Sequence, residues 1–169
     1  MPNKRGISQA FHRSPDGLQL RPASVFDVFD ISRVLIDSIT VLCEEDHRND
    51  PAEIADWTAN KSPGEVRRWI TSGFVPWLGL RHGQLAGVGG VTPEGAISLL
   101  YVAPQHSGIG VGTELLAHLE DVLRQGGHGN ATLVSTKTAL AFYRARGWEE
   151  DGAPVRWRGS AAWPMRKTL

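Results

Sequence analysis

The sequence predicts an α/β domain: a single mixed, mostly antiparallel central sheet flanked by helices. Three observations carry this. Segments with apolar residues at helical spacing alternate with short apolar runs bounded by Gly and Pro. Three strand candidates over 75–102 follow one another through tight turns, as an antiparallel meander does. That meander runs into Ser107-Gly108-Ile109-Gly110-Val111-Gly112-Thr113, a glycine turn that opens a helix.

The elements follow in order. Leu18 to Arg21 is a short strand. Ser24 caps a helix, with Asp27 as its capping-box partner, and Val28, Ile31, Val34, Leu35, Ile39 and Leu42 give that helix one buried face. The charged run Glu44 to Asp50 breaks the pattern. Asp50-Pro51 and Ser62-Pro63 each start a further helix, with a capping side chain before a Pro at the first helical position. Gly73 ends the last of these. The meander then occupies Val75 to Arg81, Leu85 to Val91 and Ala96 to Val102. A helix runs from about Thr113 to Gln125, with Leu115, Leu116, Leu119, Val122 and Leu123 as its stripe. Ala131 to Ser135 is a strand, and a short helix carries Ala139, Phe142 and Tyr143 up to Gly147. Trp148 to Arg158 and Trp163 to Lys167 are the closing strands, placed at edges or irregular points by Pro154 and Pro164.

A chain of 169 residues suits one domain. Met1 to Asp16 is polar, contains Gly and Pro, and lacks the apolar core of a signal peptide, so residues 1–16 are expected as a flexible arm and 17–169 as the domain. Lys plus Arg and Asp plus Glu both number 18, with no basic run, which argues against nucleic acid or an anionic membrane as partner. No apolar run has the length of a spanning helix, and the simplest location is the cytoplasm. Cys43 is the single cysteine, set in an apolar helical pattern that suits a core residue. Six Trp offer material for an apolar interface, which leaves a homodimer open.

The glycine stretch bears on function. The first N–H groups of a helix have no intrahelical partner, and the helix dipole puts positive potential there. Glycines let an anionic ligand approach that backbone closely. A phosphate-bearing ligand at Gly108 to Thr113 is one reading, and a tight turn with no ligand is the other. A P-loop is excluded because no Lys follows the glycines, and a dinucleotide fingerprint because the spacing of Gly108, Gly110 and Gly112 differs.

Leu100, Val102, Pro104, Gly108, Gly110 and Gly112 resemble the acyl-CoA loop of the GCN5-related N-acetyltransferases, whose pattern reads Leu-x-Val-x-Pro-x-x-Arg/Gln-Gly-x-Gly-x-Gly/Ala. The family's Arg or Gln falls on Ser107, a departure. The segment Ala139-Leu140-Ala141-Phe142-Tyr143-Arg144-Ala145-Arg146-Gly147-Trp148 resembles a second family motif in the right order and separation. The resemblance covers nearly the whole chain. It implies an acetyl-CoA-dependent N-acetyltransferase that transfers directly to a primary amine of a small molecule or peptide. A non-catalytic acyl-CoA-binding module is the alternative.

The resemblance also implies a site. Acetyl-CoA would be the acyl-donor cosubstrate, with no metal. Main-chain groups of Leu100, Tyr101 and Val102 would bond pantetheine. The N–H groups of Ser107, Gly108, Ile109, Gly110, Val111, Gly112 and Thr113 would hold the pyrophosphate. Thr136 falls where relatives carry Asn, and either bonds CoA or caps the last helix. Tyr143 would protonate the leaving thiolate as a general acid; the bland reading is a core aromatic. Successive helix positions point about 100° apart, so only one of Phe142 and Tyr143 is expected to face the cofactor. The Glu that relatives keep on the strand before the loop falls near Ala96, and Glu94 lies in a turn. Glu45, Asp46 and His47 therefore stand as residues for the acceptor amine, against the reading of a solvated loop.

Overall fold

The computed structural model describes residues 17–169, together with a two-residue strand at His12–Arg13 (β1). The rest of the arm expected over 1–16 lies outside the described residues. β2, Gln19–Pro22, leads into Ser24, whose hydroxyl accepts from Phe26 N while its own N–H donates to the Asp27 carboxylate at 2.7 Å. The capping box is present, but the turn it closes is a 3-10 turn at Val25–Asp27, and the α-helix starts after it. Asp27 also holds Arg21 through two hydrogen bonds, which bind β2 to this turn. α1, Val28–Leu42, buries Val28, Ile31, Val34, Leu35 and Ile39 of the stripe read from the sequence, while its last member, Leu42, is half-buried.

The expected break at Glu44–Asp50 contains a helical turn, α2 at Glu44–His47, stopped by Arg48 and Asn49 in left-handed conformation. α3, Pro51–Thr58, starts where Asp50 accepts from Ala52 N and Glu53 N. α4, Pro63–Thr71, starts at Ser62, which accepts from Glu65 N. Both Pro residues sit at the first helical turn, where a missing N–H costs nothing.

β3 (Trp77–Arg81), β4 (Gln84–Val91) and β5 (Ile97–Val102) form the meander. With β1 and β2 they make an antiparallel sheet in the order β1-β2-β3-β4-β5. α5, Val111–Gln125, packs on β4 and β5 through Leu115, Leu116 and Leu119. Beyond α5 lie β6 (Asn130–Ser135), α6 (Leu140–Arg144), β7 (Glu149–Glu150), β8 (Val155–Trp157) and β9 (Ser160–Thr168). The strand expected over Trp148–Arg158 is two short ones, interrupted around Gly152, which takes φ 101°. β9 pairs with β6 along one edge; on its other edge β8 takes the first half and β7 the second. Pro164 stands between those two stretches, where Asp151 N donates to its carbonyl, so its missing N–H breaks no ladder on that edge.

The mixed, mostly antiparallel sheet flanked by helices that the sequence predicts is present, in two splayed halves. Its halves meet in a parallel bridge between Ala96 and Thr132, backed by Thr132 N donating to Gly95 O at 3.2 Å. Past that bridge β5 and β6 share no further rung among the described residues, and a gap opens between them. Beneath it, a buried Glu120 carboxylate accepts from Lys167 Nζ and from Trp148 Nε1, which pins α5 to the second half-sheet.

Candidate active site

The gap between β5 and β6 opens on both sides of the sheet. On the side of α5 and α6 it is walled by Leu100, Tyr101, Val102, Ser107, Gly112 and Thr136, with Phe142 and Tyr143 across from them. Strand β5 passes through Ala103 into a 3-10 turn at Pro104–His106, then into the exposed loop Ser107–Gly110. Gly110 adopts φ 92°, a conformation that lets the chain turn straight into α5, so the helix begins at Val111 and not at Thr113. The first bond closing α5 is Glu114 N to Gly110 O, and the N–H groups before it point out along the helix axis. A Cβ on Gly112 would lie 3.4 Å from the Phe142 ring and from Val102, so a side chain here would press on both walls. The geometry is a slot through a sheet with an anion-favouring helix start at one end.

Tyr143 is buried, with its ring edge-on to Phe142 at 5.2 Å and to Trp148 at 5.9 Å. Burial raises its pKa well above the ordinary phenol value, and the nearby Tyr101 phenol adds to the rise. Phe142 and Tyr143 both line the opening, contrary to the expectation that only one would. The two rings stand at 77° to each other, edge to face, and each presents part of its surface to the slot. Thr136 Oγ1 accepts from Ala139 N at 3.2 Å, which closes the turn ahead of α6 and is not a cap of the helix itself, whose N-cap is Ala139; the residue also lines the slot. Cys43 lies on the same wall, its thiol pushed up to about 12 by burial and then by Asp46, so it stays protonated.

This architecture has known counterparts. A family model described as an acetyltransferase (GNAT) domain matches residues 50–169. The chain belongs to the GCN5-related N-acetyltransferase family. It is an acyltransferase of that class. A GCN5-related N-acetyltransferase from Rhodopseudomonas palustris superposes with a TM-score of 0.79 at 25% identity, over 89% of this chain and 94% of that one. PaiA N-acetyltransferase from Thermoplasma acidophilum, solved with coenzyme A, gives 0.73 at 16% identity over 90% and 99%. YncA from Salmonella typhimurium, solved with acetyl-CoA, gives 0.61 at 16% identity over 90% and 94%. No curated protein matches the sequence. No helix among the described residues is long and apolar enough to cross a membrane.

In this acetyltransferase the acidic segment after α1 is built into the fold. Asp46 is buried, and its carboxylate accepts from Lys137 N at 2.7 Å, Thr138 N at 3.2 Å and Thr138 Oγ1. It thereby fixes the turn between β6 and α6, and Ser160 Oγ donates to its carbonyl from β9. His47 is buried with both ring nitrogens engaged, one with Ile39 O at 2.9 Å and the other accepting from Asn49 N at 3.0 Å. Asp46 and His47 reach the wall of a small cavity beside Trp57, Trp157 and Arg158, while Glu45 is exposed.

Four side chains around the slot lie outside the sequence expectations: those of Arg146, Tyr101, Trp57 and Trp157. Arg146 reaches Thr113 at the start of α5. Tyr101 was read only for its main chain, yet its phenol is buried toward α1 and α3 against Cys43 and Trp57; burial pushes its pKa up to about 12, with the Trp57 indole opposing. Trp57 and Trp157 face one another beyond it. The alternation of β5 places Tyr101 on the opposite face from Leu100 and Val102, a signal present in the sequence.

Proposed function

We propose that the protein transfers an acetyl group from acetyl-CoA directly to a primary amine of a small molecule or peptide. The observation that carries this is the parallel split between β5 and β6, which runs from the glycine loop at one end to Tyr143 at its middle. The residues fit the donor. The Leu100–Val102 main chain has no β6 partner on its open side and offers hydrogen bonds to an amide-bearing chain such as pantetheine. Gly108 to Thr113 present N–H groups and helix-dipole potential to a pyrophosphate, whereas the Ser107 N–H, expected to join them, closes the 3-10 turn by donating to Pro104 O at 3.2 Å. Bound there, acetyl-CoA supplies an activated thioester.

The chain's own residues do the rest. N–H groups lining the slot stabilise charge as it develops on the thioester oxygen. The amine nitrogen forms the new C–N bond, the C–S bond breaks, and the Tyr143 hydroxyl gives its proton to the departing sulfur. A phenol with a raised pKa is fully protonated at neutral pH, as that acid must be. The amine loses its proton to water in the slot. The protonated, buried Cys43 speaks for direct transfer, since an acyl-enzyme would need its thiolate. Asp46 supports the acceptor side by fixing the turn that carries Thr136 and Thr138, and His47 ties the α2 turn back to α1. Thr136 acts by shaping that turn through the bond its hydroxyl accepts from Ala139 N.

The test is calorimetric titration with acetyl-CoA, followed by thiol release and product mass with a panel of amines. Micromolar binding and a product heavier by one acetyl group support the reading. Binding without turnover on any amine would favour a non-catalytic acyl-CoA-binding module, and no binding would overturn both.

A further inference from the structure

The slot's second opening, on the side of α3 and β8, is walled by Trp57, Tyr101, Val134, Val155, Trp157 and Pro164. Tyr101, Ser98, Val134 and Thr136 line both openings, so the two cavities meet across the split sheet. Apart from hydroxyls, the one charged lining residue is Asp151, which is exposed and 4.0 Å from Arg166. Val134, Val155 and Trp157 are 58%, 44% and 38% exposed, three of the large apolar side chains that the described fold leaves in water, gathered around one concavity. Of the six Trp, only Trp157 is classed as exposed, and it is here. Its ring meets Trp57 edge-on at 5.2 Å and 89°, making a corner of two indoles. Trp57 itself is 4% exposed, yet its Nε1–H, beside the Tyr101 phenol, makes no hydrogen bond of normal geometry. A buried donor with only a loosely placed phenol oxygen beside it on a cavity wall is one that a ligand can complete.

Resting on the acetyl-transfer reading, we propose that this opening is the acceptor site and that it selects a primary monoamine with a flat apolar body bearing a hydrogen-bond-accepting atom. The body lies in the Trp57–Trp157 corner, its accepting atom takes the Trp57 N–H, and the amine points through the gap at Tyr101 toward the donor side. A polyamine or aminoglycoside presents several cations, and this wall offers them a single exposed carboxylate that already has a partner. Aromatic walls instead reward a flat apolar body through area and edge-to-face contact.

Tyramine and spermidine are the probes, titrated by calorimetry into protein saturated with CoA. CoA binding is measured first, so failure there falls on the acetyl-transfer reading and failure with the amines falls on this proposal. Tyramine is expected to bind at least ~10-fold tighter than spermidine, and Trp157→Ala to weaken tyramine by ~10-fold with little change for spermidine. Trp57→Phe keeps a ring and removes the N–H, and should weaken tyramine by roughly 3-fold to 10-fold without changing CoA affinity. Because Trp157 lies at the surface, its variant tests the wall without risk to the core. Spermidine binding as tightly as tyramine, absence of tyramine binding, or a Trp157→Ala variant with unchanged tyramine affinity would each overturn the proposal.

Discussion

Arg146 donates from Nε to Thr113 Oγ1 at 3.1 Å, across 33 residues, and lays its guanidinium against the first turn of α5. The same side chain donates to Phe142 O at 2.8 Å and sits 3.8 Å over the Phe142 ring. A cation at a helix N-terminus opposes the dipole, which favours anions there. An anion bound at the loop would offset both. Arg146→Gln is therefore expected to lower acetyl-CoA affinity ~10-fold, with the loss shrinking as salt is raised. Calorimetry at two ionic strengths checks this. Unchanged affinity would leave Arg146 as a tie between α5 and α6 and nothing more.

The glycine loop can be tested without straining it. Gly108 and Gly110 have φ of 76° and 92°, so any side chain there would disturb the backbone as well as the ligand. Ile109 lies between them with ordinary φ and is 49% exposed. Ile109→Asp adds a negative charge at the anion-binding backbone and should cut acetyl-CoA affinity ~10-fold or more while leaving the melting temperature within about 2 °C. Equal affinity in the variant and the parent would move the phosphates elsewhere.

The reason these sites differ in how well the sequence announces them is one of range. Ser24 with Asp27, Asp50 with Pro51 and Ser62 with Pro63 are local devices, and each starts a helix within a few residues of where it is read. The glycine ladder is equally local. The split of the sheet is not: it depends on how β5 and β6 diverge from the Ala96–Thr132 bridge, and no residue pattern in either strand encodes that divergence. Asp46 illustrates the same limit. As a charge in an acidic run it suggests a loop or a ligand for an amine, but its partners are the N–H groups of Lys137 and Thr138, 91 and 92 residues away. Trp157, too, is in the sequence only one residue of a closing strand, and the β8–β9 hairpin is what turns it outward.

Asp46 offers a clean separation of support from substrate binding. Its carboxylate satisfies three part-buried donors in the turn before α6, and a hydrogen bond contributes about 0.5–1.5 kcal/mol, more where the acceptor is charged. Asp46→Ala should lower the melting temperature by several degrees and weaken acetyl-CoA binding through the loosened Thr136 turn. A variant that melts like the parent but has a raised KM for the amine alone would instead make Asp46 a direct acceptor ligand. Both quantities can be read from one preparation.

Tyr143 is where packing and chemistry compete for the same side chain. It is buried between Phe142 and Trp148, so part of its role is to fill the core, and Tyr143→Phe preserves that part. What the variant removes is the oxygen at the slot. Its pKa in the fold stands above the ordinary 10, chiefly because burial disfavours phenolate. The sign follows for stability: the phenol is neutral in both states below pH 10, and above it the unfolded chain ionises first, so the parent loses stability as the pH rises past 10 and the Phe variant loses less. For catalysis the same shift keeps the acid protonated throughout the working range, so no alkaline limb from this group should appear in kcat below about pH 10. With chemistry limiting, Tyr143→Phe is expected to lower kcat ~10²-fold while acetyl-CoA affinity and the melting temperature at neutral pH stay close to the parent's. A variant that keeps full kcat when pre-steady-state kinetics show chemistry to be limiting would assign the proton to water and leave Tyr143 to packing alone.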